Sequence, residues 1–379
     1  MKDDFKDKLK KYKEGKLNDE ESKKIEQELD KLEIYQEYMN EEFNEIEGKE
    51  SQREERNYKK IIKKGKWKAR FNIAITAIAI FMVFSIISGI ITSVFYNTGN
   101  PNRRENYIDA IKSTIYVTRP NLSLSSVGTS QENYFTMSTE GKLEKQVGDG
   151  FYDVGELNAK FLFNKVNSDI IQLDSIESIG FIHPEKNLEY DPQSDWGKLE
   201  KLHEGTVAEV YVSFDKLYKT DEILEKIELS KLNWLWAAVD IGDAIPSEMF
   251  SDIGFPSYPM WREGDGTTYT EESDETLFGE QVVSESTSYP SVDPYGSGKS
   301  RDKNFLETLE FLNEYKDIAG KVDYTLGKNI NSIINHIEEN GVKIYGMVIT
   351  GPTKDILKLK QEDYIKNMRV KDVKLWNLN

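Results

Sequence analysis

The sequence predicts a short cytosolic α-helical segment, one transmembrane helix and an extracellular α+β domain that holds most of the chain. Three features predict it. All twenty-six residues from Phe71 to Tyr96 are uncharged, and most are Ile, Ala, Phe, Val or Met. Seven basic residues crowd one side of that run, against Arg103 and Arg104 past the other. Beyond it, strand-like and helix-like patterns alternate in the mixed order of an α+β domain.

As a helix with a rise of about 1.5 Å per residue, the run at 71–96 reaches about 39 Å, more than a hydrocarbon core of about 30 Å. It begins after a long polar stretch and exceeds the apolar region of a secretory signal, so it reads as a span. Lys59, Lys60, Lys63, Lys64, Lys66, Lys68 and Arg70 make residues 59–70 a basic juxtamembrane segment. Excess Lys and Arg stay in the cytosol, which puts residues 1–58 inside and residues from about Asn97 onward outside the cell membrane. Trp67 and Tyr96 fall where amphipathic rings prefer to lie. The basic cluster also faces anionic headgroups, so the lipid bilayer is an expected partner.

Charge divides along the same boundaries. Residues 1–58 carry 19 acidic and 13 basic side chains, residues 59–96 seven basic ones, and residues 97–379 carry 48 acidic and 30 basic, giving −6, +7 and −18. An outer domain that acidic is no binder of nucleic acid. The absence of cysteine excludes disulfides, thiol catalysis and thiolate zinc sites.

In the cytosolic segment, Phe5, Leu9 and Tyr12 share one face of a short helix, and Gly15 is placed to close it in the left-handed conformation. Asn18 caps a second helix, with Glu21 set to complete a capping box and three acids at the positive dipole end. Ile25, Leu29, Leu32, Tyr35, Met39, Phe43 and Ile46 then form an apolar stripe at spacings of three and four. Two helices have too little mass to bury it. Self-association or a helical stalk would cover it; so would a partner protein that receives an amphipathic helix in a groove.

Leu9, Tyr12, Glu14-Gly15, Leu17, Glu21, Ile25-Glu26, Leu29 and Glu37-Tyr38, followed by a basic cluster and one span, resemble the N-terminal part of bacterial membrane-bound anti-sigma factors. The resemblance implies a cytosolic sigma factor as partner, held through Leu9, Tyr12, Ile25, Leu29, Leu32, Tyr35 and Met39. Many relatives carry a zinc-binding His and Cys pattern in these helices. This chain has no Cys and no His before His183, so a zinc-free version is expected.

Residues 97–106 read as a polar linker with Gly99 and Pro101, open to a protease. The β-branched content of Thr206–Phe214 favours a strand, and Lys231–Ile241, Val342–Thr350 and Val370–Leu378 read likewise. Asn304–Ile318 and Ile330–Ile337 have helical apolar spacing. A faint repeat links Gly205-Thr206-Val207, Thr220 and Leu235-Trp236 with Gly341-Val342, Thr353 and Leu375-Trp376. Two strand–helix–strand copies of this kind pair into one antiparallel-and-parallel sheet with helices on one face, the ferredoxin-like arrangement. Residues 254–303, rich in Gly, Ser, Pro, Thr and acids, are expected as a mobile insertion.

Glu339–Gly346, Val348, Thr350-Gly351-Pro352-Thr353-Lys354, Leu357–Leu359, Val370, Val373 and Leu375-Trp376 resemble the C-terminal domain of the sigma factor regulator family. Gly155–Asn158, Lys160-Phe161 and Asn164 fit it too. Within the family, the likeness is to the anti-sigma-M type of Gram-positive bacteria. The stretch Thr350, Gly351, Pro352, Thr353 is its most specific part. Read from its residues, it is a turn in which Thr353 caps the next helix, since it lacks the second glycine and the length of a phosphate loop.

No catalytic constellation and no cofactor site stand out. His183, His203 and His336 lie on separate elements without ligand spacing and read as surface or capping residues. Three classes of function remain: a membrane-bound anti-sigma factor, a structural or ligand-binding envelope protein on one transmembrane helix, and a membrane-anchored hydrolase lacking an identifiable site. In the span, Ser85 and Gly89 at four-residue spacing permit close pairing with a second membrane protein.

Overall fold

Residue chemistry accounts for most element boundaries in the computed structural model. It describes residues 2–44, 51–167, 170–174, 180–186, 193–246, 251–262, 265–273 and 282–376. The chain divides into two units, Met1–Val83 and Phe84–Asn379.

In the first unit, α1 (Lys2–Lys13) and α2 (Asp19–Asn44) form a helical hairpin. Gly15 closes α1 at a φ of 66°, and Asn18 Oδ1 accepts the Glu21 amide at 2.8 Å, as the cap pattern predicts. The Tyr12 hydroxyl donates to Glu26 Oε1 across the hairpin at 2.8 Å. Helix α3 (Ser51–Asn97) holds the whole apolar run, and 39 of its residues are long and apolar enough to cross a membrane.

The second unit begins within α3. Residues 98–102 turn tightly into α4 (Arg103–Thr118), where Asn102 and Glu105 form a reciprocal capping box. Residues 103–106, expected in a linker, therefore lie in the first turn of a helix. A meander follows: β1 (Ser123–Glu132), β2 (Thr136–Val147) and β3 (Gly150–Leu162), with β4 (Lys165–Val166) and β5 (Ile171–Leu173) both pairing with β3.

After the short α5 (Trp196–Leu199) come β6 (Thr206–Tyr218), α6 (Thr220–Ser230), β7 (Asn233–Val239) and β8 (Gly254–Pro256). A separate hairpin, β9 (Thr267–Ser273) and β10 (Val282–Ser288), leads to α7 (Gly298–Glu314), α8 (Lys316–Val322) and α9 (Tyr324–Asn340). The chain closes with β11 (Ile344–Pro352), α10 (Thr353–Ile356) and β12 (Ile365–Leu375).

The main sheet runs β12-β6-β11-β7-β8. The two strand–helix–strand copies are thus interleaved, and every strand pair among the described residues is antiparallel, not mixed. Both faces are covered. Val210, Val212, Phe214, Met347 and Ile349 join the large core with Phe305, Leu309, Ile330 and Ile333 of the helices. On the other face Tyr211, Trp236, Tyr345 and Val348 pack with Phe181. That double burial is why β6 and β11 read as near-continuous apolar runs, not as alternation.

The expected insertion is smaller than 254–303. Gly254–Pro256 is an edge strand in which a Cβ on Gly254 would collide with the Ala237 carbonyl, and Arg301 is buried, donating to the carbonyls of Gly296 and Asp293. Residues 263–264 and 274–281 lie outside the described residues, as do the last positions of the expected strand Val370–Leu378.

Candidate functional site

The stripe on α2 is the first candidate surface. Leu29, Leu32 (51% exposed), Tyr35 and Met39 are open to solvent, and Leu9 of α1 is borderline exposed. Tyr12 is half-buried. Ile25 is the exception: 4% exposed, it fills the contact between the two helices and is placed to hold the hairpin, not to meet a partner. Ile46 falls outside the described residues.

The second candidate is a clasp between the C-terminal end of α3 and the β1–β2 turn. Small polar residues allow it. A Cβ on Gly89 would stand 2.9 Å from Asn133 Oδ1, so the turn approaches the helix where no side chain intervenes. The hydroxyls of Ser88 and Thr92 donate back to the carbonyls of Ser85 and Ser88, and their lone pairs accept the amides of Tyr134 (3.4 Å) and Phe135 (2.9 Å). Ser85 Oγ and the Tyr134 hydroxyl lie 2.8 Å apart, and the Tyr96 hydroxyl donates to the carbonyls of Phe135 and Phe163 at 3.1 Å each. Phe84 stacks on Tyr134, while Phe95 and Phe135 both pack on Phe163. Tyr134 and Phe135 sit at φ 64° and 68°, a conformation side chains rarely adopt. The face that the sequence offers to a second helix is therefore occupied by the chain's own turn.

The clasp continues to the chain's exit from the helix. Asn97 and Gln131 exchange amide hydrogen bonds at 2.8 and 3.3 Å, and Arg103 donates to the Phe95 carbonyl while lying over its ring. The segment expected as an open linker is a fixed corner.

A third cluster corrects the reading of the histidines. His183 Nε2 and His336 Nε2 approach the two oxygens of Asp240 at 3.0 and 3.2 Å, and the Gly242 amide donates to Oδ1 at 2.9 Å. Burial opposes ionisation of Asp240, but hydrogen bonds from His183, Gly242 and His336 outweigh it and hold the carboxyl at about 2. Nearby, the Tyr345 hydroxyl donates to Asp252 Oδ1 at 3.0 Å, and burial pushes Asp252 up to about 7. His203 is exposed and takes no part. Among the described residues no group of three or more His, Asp or Glu is placed to hold a metal.

A cleft of about 370 Å³ opens between α4, the β2–β3 end and the segment after β8, with Lys112, Tyr116, Gln146, Trp236, Tyr258 and Trp261 among its walls.

Thr350–Thr353, expected as a turn, is the end of strand β11 and a joint between sheets. Thr350 is fully buried; its hydroxyl donates to the Ala208 carbonyl at 2.9 Å and accepts the Gly148 amide at 2.6 Å. Gly351 and Pro352 are still in β11, opposite Ala208 and Val207. Pro352 occupies the cap position of α10, and Thr353, expected to cap, lies inside the helix with its hydroxyl 2.9 Å from that of Thr206.

A helical hairpin, one helix long and apolar enough to cross a membrane and a two-sheet domain clasped to its end make the architecture of a regulatory protein with one candidate span. The family model described as sigma factor regulator C-terminal matches residues 199–372, and the one described as sigma factor regulator N-terminal matches residues 59–151. The chain belongs to the sigma factor regulator family of anti-sigma factors. Along its whole length it is similar to the probable anti-sigma-M factor YhdL of Bacillus subtilis (strain 168), 27% identical over 383 aligned positions that cover 100% of this chain and 99% of that protein. No solved structure matches it. The N-terminal match covers the basic segment, the apolar helix, α4 and the first strands; residues 1–58 lie outside both matches.

Proposed function

We propose that the chain is a membrane-bound anti-sigma factor that sequesters an extracytoplasmic-function sigma factor through α1 and α2 and regulates its release through the extracellular domain. The observation that carries the reading is the apolar stripe of Leu29, Leu32, Tyr35 and Met39, left exposed on a helix joined to a basic flank and a span. An amphipathic helix in that state needs a groove to lie in. The family, and the anti-sigma-M factor to which the chain is similar, supply the kind of partner.

The basic flank supports a cytosolic N-terminus. A reporter fused after Lys64 is expected to work only if it functions in the cytosol, and one fused after Asn106 only if it functions outside; the reverse pattern overturns the topology. The interleaved order β12-β6-β11-β7 supports reading residues 206–375 as a ferredoxin-like module.

The binding test is Leu29→Asp with Leu32→Asp. Both side chains are exposed, so the hairpin is expected to fold, whereas a charge buried in the interface without a mate costs several kcal/mol. The double variant should lose co-purification of the sigma factor and raise transcription from its promoters. Unchanged repression would remove α2 from the interface.

A further inference from the structure

The meander reaches down the side of α3. Gln131 stands beside Asn97, and the turn at 133–135 stands beside Ser85, Ser88 and Thr92. Where these positions fall relative to a bilayer follows from helix geometry. Counting from Phe71 at about 1.5 Å per residue, Ser85 lies about 21 Å along the helix and Ser88 about 26 Å, both inside a core of about 30 Å. Tilt only deepens them. For Ser85 to clear the core, a span of about 20 residues would have to start near Gly65, and Lys66, Lys68 and Arg70 would be drawn into hydrocarbon.

The turn is built for such a place. Its amides at 134 and 135 are satisfied by helix hydroxyls, which a bilayer requires of any backbone within it. Tyr134 is 41% exposed and Leu162, level with Thr136 in the next strand, is 51% exposed; in water both would be apolar surface left open. Phe163 and Phe135 stack beneath them. Charged groups stand level with Leu162, at the depth where headgroups would begin: exposed Lys165 pairs directly opposite it, and Glu132, opposite Thr136, is ion-paired with Lys160 at 3.6 Å.

Resting on the single-span reading above, we infer that the end of the meander is immersed in the outer leaflet, the 133–135 turn with Tyr134 touching lipid acyl chains and Leu162 lying at their upper end beside the headgroups. The extracellular domain is then held to the membrane at two places, the helix and this wedge. The two left-handed aromatic residues of the turn keep their unfavourable backbone because the helix fixes them from one side and lipid covers them from the other.

The chain has no cysteine, so single-site labels are specific. Full-length Tyr134→Cys, Leu162→Cys, Ile80→Cys and Leu229→Cys would each carry a nitrobenzoxadiazole fluorophore in phosphatidylglycerol–phosphatidylethanolamine vesicles. Labels at 134 and 162 are expected to be quenched several-fold more by nitroxide near the top of the acyl chain than by aqueous iodide, as at 80; position 229, exposed on α6, should show the reverse. Leu162 lies outside the clasp, so its result stands if Tyr134→Cys disturbs the turn. Iodide quenching at 134 and 162 with lipid quenching at 80 overturns the wedge and leaves the span intact. Iodide quenching at 80 overturns both. Shielding of 134 and 162 from both quenchers would show a second copy covering the tip and would also overturn the inference.

Discussion

Asp240 and Asp252 are buried carboxyls on neighbouring elements with opposite titration behaviour. Asp240, held at about 2, supports the fold above its unfolded value near 4 and loses that support as pH falls through 2. Asp252, raised to about 7 by burial, binds a proton in the folded state that the unfolded chain releases near 4. It therefore favours folding at low pH and loses that contribution as pH rises through 7. Asp252→Asn keeps an oxygen for the Tyr345 hydroxyl and removes the titration. Its melting temperature relative to the unsubstituted chain should rise between about pH 4 and pH 7 and level off above that, and a difference independent of pH would disprove the assignment. None of this was visible in the sequence. His183 and His336 stand 57 and 96 residues from Asp240, and only the fold brings them to one carboxylate.

At the level of elements, legibility followed what each strand or helix buries. Strands β6 and β11, covered on both faces, are dense in Val and Ile, and α9 places Leu326, Ile330, Ile333 and Ile337 on one helical face. Strand β3 does alternate, burying residues 155, 157, 159 and 161, but two of those are Gly and Ala, too small to mark a core position. Helix α4 escaped notice because its buried positions include Ser113, Thr114 and Thr118, whose threonine hydroxyls bond back to carbonyls four residues earlier. The clasp was half legible: the spacing of Ser85 and Gly89 announced a close approach, but not by what. Ser88→Val with Thr92→Val removes both acceptors and should cost about 1–3 kcal/mol for each amide left unpaired. Faster hydrogen exchange at Tyr134 and Phe135, with the core unchanged, would register the loss. Between the sheets, Lys145 bridges Glu209 at 3.3 Å and Asp372 at 2.6 Å. Burial already raises Glu209, so Lys145→Met strands it and should destabilise the domain by about 3–5 kcal/mol, measurable by denaturant unfolding.

For the whole molecule, helix α3 runs from Ser51 to Asn97 and contains both the basic flank and the apolar run without marking where either begins, whereas the linker and the insertion read too long because Gly, Pro and polar residues serve fixed corners as readily as mobile loops. If the outer domain restrains release, deleting residues 107–379 should leave sigma binding possible but make it indifferent to the inducing stress. A normal response from the truncated chain would remove the domain from sensing. The corner at 98–106 bears on how any cleavage there could be controlled. With its peptide groups held by the Asn102–Glu105 box and by Arg103 on Phe95, the segment offers a protease no extended substrate until it opens locally. Cutting would then proceed at the enzyme's intrinsic rate multiplied by the fraction of molecules open at any instant, so that each 1.4 kcal/mol or so by which a signal loosens the corner speeds proteolysis about tenfold with no change in the protease itself.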